Sequence, residues 1–169
     1  MKISEILRSS TKAYPSLEIV PPLKGIGKDE LLESIKPLME FEPKYINVTC
    51  HRDEVEFVAN PDGTYTKKTV QNRVSEVVVA TAIQQHYGVD AVPHMICAGA
   101  TKEHIHAELE NLRYLGIENV LALRGDCLVG EKRFTPTPGG YHYASELVSG
   151  IKEQNPDFCI GVGAYPEKH

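Results

Sequence analysis

The chain has 169 residues, a formal net charge of −5 and a sequence pI near 5.8. This length suits one domain with a sizeable core, and the acidic balance leaves no global basic field to attract nucleic acid or an anionic membrane. No stretch is long and apolar enough to span a bilayer. The N-terminal segment MKISEILRSSTKAYPS lacks the apolar centre of a signal peptide, so the expected compartment is the cytoplasm. Cys50, Cys97, Cys127 and Cys159 are far apart, with no CxxC pair, and read as free thiols in or beside strands.

Leu17-Glu18-Ile19-Val20 is the first expected strand, stopped by Pro21-Pro22 because proline cannot donate to a sheet ladder. Glu18 points to the opposite face from Leu17 and Ile19. In a barrel it lies inside or against the helices, where a carboxylate needs a partner or a functional reason for a raised pKa. Asp29-Glu30 then favours a helix start, with Leu31, Leu32, Ile35, Leu38 and Met39 on its apolar face and a kink or early end at Pro37. Tyr45 to Thr49 is the second strand, followed by the polar Cys50-His51-Arg52-Asp53. Glu54 to Lys68 reads as a loop with a turn at NPDGT. From Thr69 to Tyr87, Val70, Val74, Val77, Val78 and Thr81 recur at helical spacing, with Gly88 as the stop.

Ala91 to Cys97 is the third strand, carrying His94 within it. Thr101 is an expected N-cap for a helix with Ile105, Leu109 and Leu112 on one face and its end at Gly116. Val120-Leu121-Ala122-Leu123 is a short apolar run suited to a strand buried on both faces. Arg124, Gly125 and Asp126 follow it directly, at the end of the strand where α/β folds place ligand chemistry. Thr135 to Gly140 is a loop. Tyr143, Ala144, Leu147, Val148 and Ile151 mark a fourth helix, ended by Asn155-Pro156. Phe158 to Ala164 is a fifth strand, with Tyr165 and His169 beyond it.

Strands alternating with amphipathic helices imply parallel β-α units with right-handed crossovers. Polar residues gather at the strands' carboxyl ends, which favours a TIM-type barrel with one site at its top face. A doubly wound sheet is the runner-up, but PPLKGIGKDE after the first strand does not match its glycine fingerprint. No GxSxG turn supports a hydrolytic triad. A metal set drawn from His94, His104, His106 and Cys97 is weak, because His104 and His106 point to different sides of a helix. The set Glu18, His94, Arg124, Asp126 and Tyr165 fits an organic-cofactor pocket instead.

Five segments then carry a family resemblance. SLEIVPP (Ser16–Pro22), PHMIC (Pro93–Cys97), NVLALRGD (Asn119–Asp126), YASELV (Tyr143–Val148) and AYPEKH (Ala164–His169) resemble, in this order and along essentially the whole chain, the catalytic barrel of the methylenetetrahydrofolate reductase family. The resemblance implies a cytoplasmic flavoprotein that uses FAD and NADH or NADPH to reduce 5,10-methylenetetrahydrofolate to 5-methyltetrahydrofolate, feeding methionine synthesis. It implies a homo-oligomer acting on a small molecule, without nucleic acid or membrane. Glu18 matches the general acid that protonates N10 of the folate and opens its five-membered ring to an iminium. Asp126 matches the acid beside the flavin that supports this cation. Thr49, His94, Arg124, Gly125, Asp126, Tyr143, Ala144, Tyr165 and His169 match FAD contacts. A general acid active near neutral pH needs a raised pKa, and a barrel interior would supply one to Glu18.

The chain departs from the family where Ile19 and Val20 replace the aromatic residues usual after the first acid, and where Cys50-His51-Arg52 follow Thr49. By this reading residues 1–169 form the N-terminal portion of a flavin-binding barrel, with five strands and four helices of an eight-unit fold. A chain ending at His169 would then be a partial barrel whose first and fifth strands are unpaired with each other, self-associating, weak in flavin binding and without turnover. Another flavin or folate enzyme on the same barrel, or a non-catalytic fragment or binding module, stays open as an alternative.

Overall fold

The computed structural model describes residues 1–51, 54–127 and 133–164. Its elements in chain order are α1 (Ile3–Ser9), β1 (Leu17–Ile19), α2 (Lys28–Ile35), β2 (Tyr45–Val48), β3 (Glu54–Ala59), β4 (Tyr65–Val70), α3 (Glu76–Tyr87), β5 (Asp90–Ile96), α4 (Lys102–Tyr114), β6 (Asn119–Leu123), α5 (Ala144–Gln154) and β7 (Cys159–Val162). A 3-10 helix, Lys36–Phe41, continues α2. Pro37 has no N–H to give the α-helical ladder, so the tighter turn takes over where the sequence predicts a kink or an end.

Strands β1, β2, β5, β6 and β7 form one parallel sheet in that spatial order. β1 and β7 are its two edges and do not pair with each other among the described residues. The architecture is therefore α/β with a five-stranded parallel sheet. Alternate strand residues face a core built with the helices: Ile46, Val48, Ala91, Met95, Val120 and Ala122 meet Val79, Ile83, Ile105, Leu109, Leu112, Leu147 and Ile151 there. Leu17 and Ile19 pack on the same side, which turns Glu18 to the other one.

That other side is open at the centre and partly covered at its amino-terminal end by α1, an element that the sequence pattern does not announce. Asn119, 1% exposed, fixes α1 by accepting from the Ile3 N–H at 2.8 Å and donating to the Met1 carbonyl at 2.9 Å. Between α1 and the sheet lies a cavity of about 390 Å3 that includes Leu7, Glu18, Asn47, Val92 and Leu121 in its lining.

Three expectations are corrected. The span Glu54 to Lys68 is not a loop. It belongs to an antiparallel hairpin, β3 with β4, in which Glu56 faces Lys68 and Phe57 faces Lys67. Asn60 and Asp62 order its turn: the Asn60 amide bonds Thr64 and Thr66, and Asp62 accepts from the Thr64 N–H and hydroxyl. Nearly all hairpin residues are exposed on both faces, so no apolar alternation announces the strands. The third helix starts at Glu76 rather than Thr69, because Ser75 caps it by accepting from the Val77 N–H at 3.2 Å. Val70 closes β4 and Val74 lies in the connection; their helical spacing is coincidental. The fifth strand is shorter than Phe158 to Ala164, running only Cys159–Val162.

The remaining elements follow the sequence. Thr101 caps α4 through the His104 N–H at 3.2 Å. α4 turns out at Gly116, whose φ of +74° is a conformation glycine adopts without strain. α5 starts after Tyr143 and ends at Asn155.

Candidate active site

The loop after β1 sets the position of Glu18. Pro21 accepts from the Arg73 guanidinium at 2.8 Å, Pro22 accepts from the Val74 N–H at 3.0 Å, and the Lys24 N–H donates to Asn72 at 2.8 Å. These bonds tie the carboxyl end of β1 to the segment between the hairpin and α3. Glu18 pairs in register with Asn47, and Asn47 with Val92, so the three stand side by side on the open face. Thr49 and His94 come one residue past the Val48–Pro93 pair and stand side by side in turn.

His94 is 6% exposed, and its Nε2 lies 3.7 Å from a Glu18 carboxylate oxygen, within ion-pair range but beyond a hydrogen bond. Burial lowers the His94 pKa; Glu18 opposes that shift and His51 adds to it. At neutral pH the ring is therefore neutral. Neither His94 Nε2 nor Thr49 Oγ1 finds a hydrogen-bond partner among the described residues, although both atoms are buried. The burial expected around Glu18 is absent, since its side chain is 59% exposed. Its neighbour across the face is an imidazole rather than a closed apolar wall.

Arg124, Gly125 and Asp126 leave β6 at the same end. The Ala98 N–H donates to the Arg124 carbonyl at 3.0 Å, which extends the β5–β6 pairing past the strand. The Arg124 guanidinium lies 5.1 Å above the Phe134 ring. Gly125 has a φ of +82°, and a Cβ there would come within 2.8 Å of the Ala98 Cβ. Both conformation and close approach require glycine, and the turn delivers Asp126 to an exposed position at the rim. Tyr143 is the N-cap of α5 and is 60% exposed. Ala144 begins that helix, although a Glu146 carboxylate oxygen already accepts from the His142 N–H beside it at 2.8 Å. Tyr165 and His169 lie outside the described residues. Thus Glu18, Thr49 and His94 are brought together, Arg124 to Asp126 occupy the end of β6, and Tyr143 and Ala144 sit at the head of α5.

A second group of titratable residues is not apparent from sequence pattern alone. A cavity of about 610 Å3 beside the carboxyl ends of β2 and β5 is lined by Cys50, His51, Glu76, His104 and Glu108, with Lys67 from the hairpin. Glu76 is 9% exposed, and burial raises its pKa against a hydrogen bond from Cys50 and the charges of His104 and His51. Burial, then the charge of Glu76, raises that of Glu108, with His104 opposing at 3.4 Å. A signal is present in the chain: His104 and Glu108 are four apart on one helix, and Glu76 directly follows the Ser75 cap. His106 points elsewhere, to the Tyr141 hydroxyl at 3.1 Å. Among the described residues no three His, Cys, Asp or Glu side chains are grouped to hold a metal. No disulfide joins any of the four cysteines, and burial pushes the Cys97 thiol up to about 11.

The family model for methylenetetrahydrofolate reductase matches residues 2–169. The chain belongs to the methylenetetrahydrofolate reductase family. It is 30% identical over 169 residues to methylenetetrahydrofolate reductase (NADH) 1 of Arabidopsis thaliana, covering 99% of this chain and 26% of that protein. Methylenetetrahydrofolate reductase 2 of Schizosaccharomyces pombe is 37% identical over 173 residues, 100% of this chain and 24% of its own length. The 5,10-methylenetetrahydrofolate reductase of Pectobacterium carotovorum subsp. carotovorum is 31% identical over 156 residues, 91% and 44% respectively. The chain thus spans about a quarter of these eukaryotic relatives and under half of the bacterial one. Members of this family are oxidoreductases of folate one-carbon metabolism. Among the described residues no helix is long and apolar enough to cross a membrane.

Proposed function

We propose that the complete protein reduces 5,10-methylenetetrahydrofolate to 5-methyltetrahydrofolate with FAD and a nicotinamide donor, on a TIM-type barrel of which residues 1–169 form the N-terminal portion. The word NADH in the name of the Arabidopsis relative favours NADH over NADPH as the donor. The observation that carries the reading is the pair of buried, unpartnered polar atoms, Thr49 Oγ1 and His94 Nε2, beside Glu18 at the carboxyl ends of adjacent strands. Buried polar groups are normally satisfied within the fold, so atoms held ready at a site point to a ligand that completes them.

These residues fit a flavin. Thr49 and His94 offer it hydrogen bonds, and Gly125 lets the β6 turn approach closely, since any side chain there would strike Ala98. The N-terminus of α5 at Ala144, with Tyr143 beside it, suits a phosphate or ribose, and Tyr165 and His169 are assigned to the same cofactor. When bound, FAD supplies the hydride relay between nicotinamide and folate.

The protein's own groups then divide the work. Glu18 gives a proton to N10 of the folate as the five-membered ring opens. Its exposure lets water replace that proton after each turnover. Asp126, at the rim of β6, sets a negative charge where the substrate cation develops and so favours ring opening. Arg124, positioned over Phe134, orients the anionic part of the cofactor.

The test separates the two halves of the reaction by stopped flow. Glu18→Gln in the complete protein is expected to retain flavin reduction by the nicotinamide near the wild-type rate and to lose folate-dependent reoxidation by ~10²-fold or more. Loss of flavin binding instead would make Glu18 a structural residue, and a colourless wild-type preparation would exclude the flavin.

A further inference from the structure

Tyr141 stands two residues before the N-cap of α5 and is 5% exposed. Its ring folds back onto the helix it precedes. A Cβ at Gly150 of α5 would collide with the Tyr141 hydroxyl, so glycine there is what admits the ring. From the other side, α4 holds the same tyrosine twice. The Lys102 ammonium lies 5.0 Å from the ring centroid, and His106, one turn further on, meets the hydroxyl through Nε2 at 3.1 Å. The backbone adds to this, since the Lys102 N–H donates to the Gly139 carbonyl at 3.1 Å. A Cβ at Gly140 would come within 2.5 Å of the Ala100 carbonyl oxygen, so the loop lies hard against the start of α4. We propose that Tyr141 is a positioning residue for the cofactor, clamped by His106, Lys102 and Gly150 so that the head of α5 stands ready for a dinucleotide phosphate. Resting on the assignment of that terminus to FAD, this gives the clamp a part in binding rather than in chemistry.

The physical grounds lie in what the hydroxyl does and what the helix terminus lacks. The Tyr141 ring belongs to the common core with Leu147 and Ile151, where phenylalanine would fill the same apolar space. A buried hydroxyl costs free energy unless it is hydrogen-bonded. Here the bond ties a loop residue to α4, which Ile105, Leu109 and Leu112 bury in the core. The first turn of α5 has no such anchor of its own. Its N-cap, Tyr143, is 60% exposed and makes no side-chain cap bond. An anion at a helix N-terminus is held by backbone N–H groups, and such a site must be set to within about half an ångström. The residues behind the turn therefore decide where it stands.

This role separates affinity from rate. Without the hydroxyl, the head of α5 is less well placed before the cofactor arrives, and part of the binding free energy goes into ordering it. Once FAD is bound, that ordering is complete. The groups assigned to the flavin and the folate, Thr49, His94 and Glu18, belong to β2, β5 and β1, and the clamp moves no proton.

The experiment strips flavin from the complete protein and titrates FAD back, following its fluorescence at a temperature where every variant is folded. Tyr141→Phe keeps the ring and removes the hydroxyl, and is expected to weaken FAD binding about 10-fold, the scale of one buried hydrogen bond. His106→Leu should match it, and the double variant should bind no more weakly than either single one, since both changes break the same bond. His106→Gln, whose amide can still meet the hydroxyl, should recover most of the affinity. At saturating FAD, the rate of flavin reduction by the nicotinamide should change far less than the affinity. Unchanged FAD affinity in Tyr141→Phe, even with a lower melting temperature, overturns the proposal. So does an equal loss in His106→Gln, or a rate at saturating FAD that falls as far as the affinity. Failure of the functional reading looks different: the wild-type protein itself then takes up no FAD, and the clamp's role falls with it.

Discussion

On the helix-covered side of the parallel sheet, Ile46, Val48, Ala91, Val120 and Ala122 are fully excluded from water. One residue along the same strands, Glu18, Asn47, His94 and Leu121 face the open side, which bears a cavity, a half-solvated carboxylate and a buried imidazole. The strands are common to both faces, so backbone pairing does not distinguish them. The difference lies in satisfaction: the helix side is apolar and closed, whereas at the carboxyl end of the open side two buried polar atoms find no partner among the described residues. Tyr14 Oη and Arg73 Nε are also buried without a partner among the described residues, but only Thr49 and His94 stand side by side at the carboxyl ends of the strands next to a carboxylate.

The sharpest way to break this contrast is to damage the helix side. Leu147, fully buried on α5, belongs to the core that joins helices to sheet. Leu147→Ala is expected to cost about 2–5 kcal/mol, since it removes burial and leaves a void. A urea titration should show a lower midpoint at unchanged slope, with the rate of flavin reduction per folded molecule unaltered. A loss below about 1 kcal/mol would show that α5 is not held as the packing indicates.

The corresponding change at the open side should do the reverse. Asp126→Asn preserves shape at an exposed position and is expected to leave stability nearly untouched. It should slow folate reduction by ~10²-fold, equivalent to about 2.7 kcal/mol, and flavin reduction far less. Equal small effects on both half-reactions would reduce Asp126 to an ordinary loop charge.

The helix side is the easier of the two to read from sequence. Apolar periodicity marks β2, β5, β6 and the faces of α2, α4 and α5, because each has one buried stripe against a common core. The hairpin β3–β4 escapes because its residues face solvent on both sides, so hydrophobic alternation has nothing to report. α1 escapes for a related reason: one residue, Ile6, is buried from it, and it is held through the side chain of Asn119, over 100 positions away in sequence. At the site, the strand-end position of Thr49, Arg124, Gly125 and Asp126 is legible from local sequence. The approach of Glu18 to His94 is not, since it depends on the register of strands that are not neighbours in the chain. The exposure of Glu18 likewise depends on what covers the sheet, which local pattern does not encode.

A smaller effect is expected where α4 begins. The Thr101 hydroxyl accepts from the His104 N–H, one of the donors an α-helix leaves without a partner at its first turn. Thr101→Ala should destabilise by about 1 kcal/mol, while Thr101→Ser should retain most of the cap. Because Thr101 also lines the polar cavity at this end of the sheet, a change in rate without a change in stability would mean the residue belongs with the chemistry rather than with the scaffold.

The smallest effect concerns pH, where the buried Glu76 and half-buried Glu108 of that cavity and the buried histidine of the open face pull in opposite directions. Glu76 and Glu108 have pKa values raised above the ordinary 4.5, chiefly by burial. The stability they contribute is therefore complete below about pH 4.5 and is lost as pH rises through their folded values. His94 has its pKa lowered from 6.5, again by burial first. Its contribution is complete above pH 6.5 and is lost as pH falls through its folded value. Glu76→Gln removes the most buried of the acids and still offers an acceptor to the Cys50 thiol. The variant should melt above wild type at pH 7 to 8, and the gap should close toward pH 4.5, while the acid-side loss due to His94 persists in both. Calorimetric melting curves across this range read the difference directly. If Glu76→Gln melts below wild type at pH 7, the carboxylate is held in its charged form by His51 and His104, and the cavity is an ion-pair network rather than a site where burial governs ionisation.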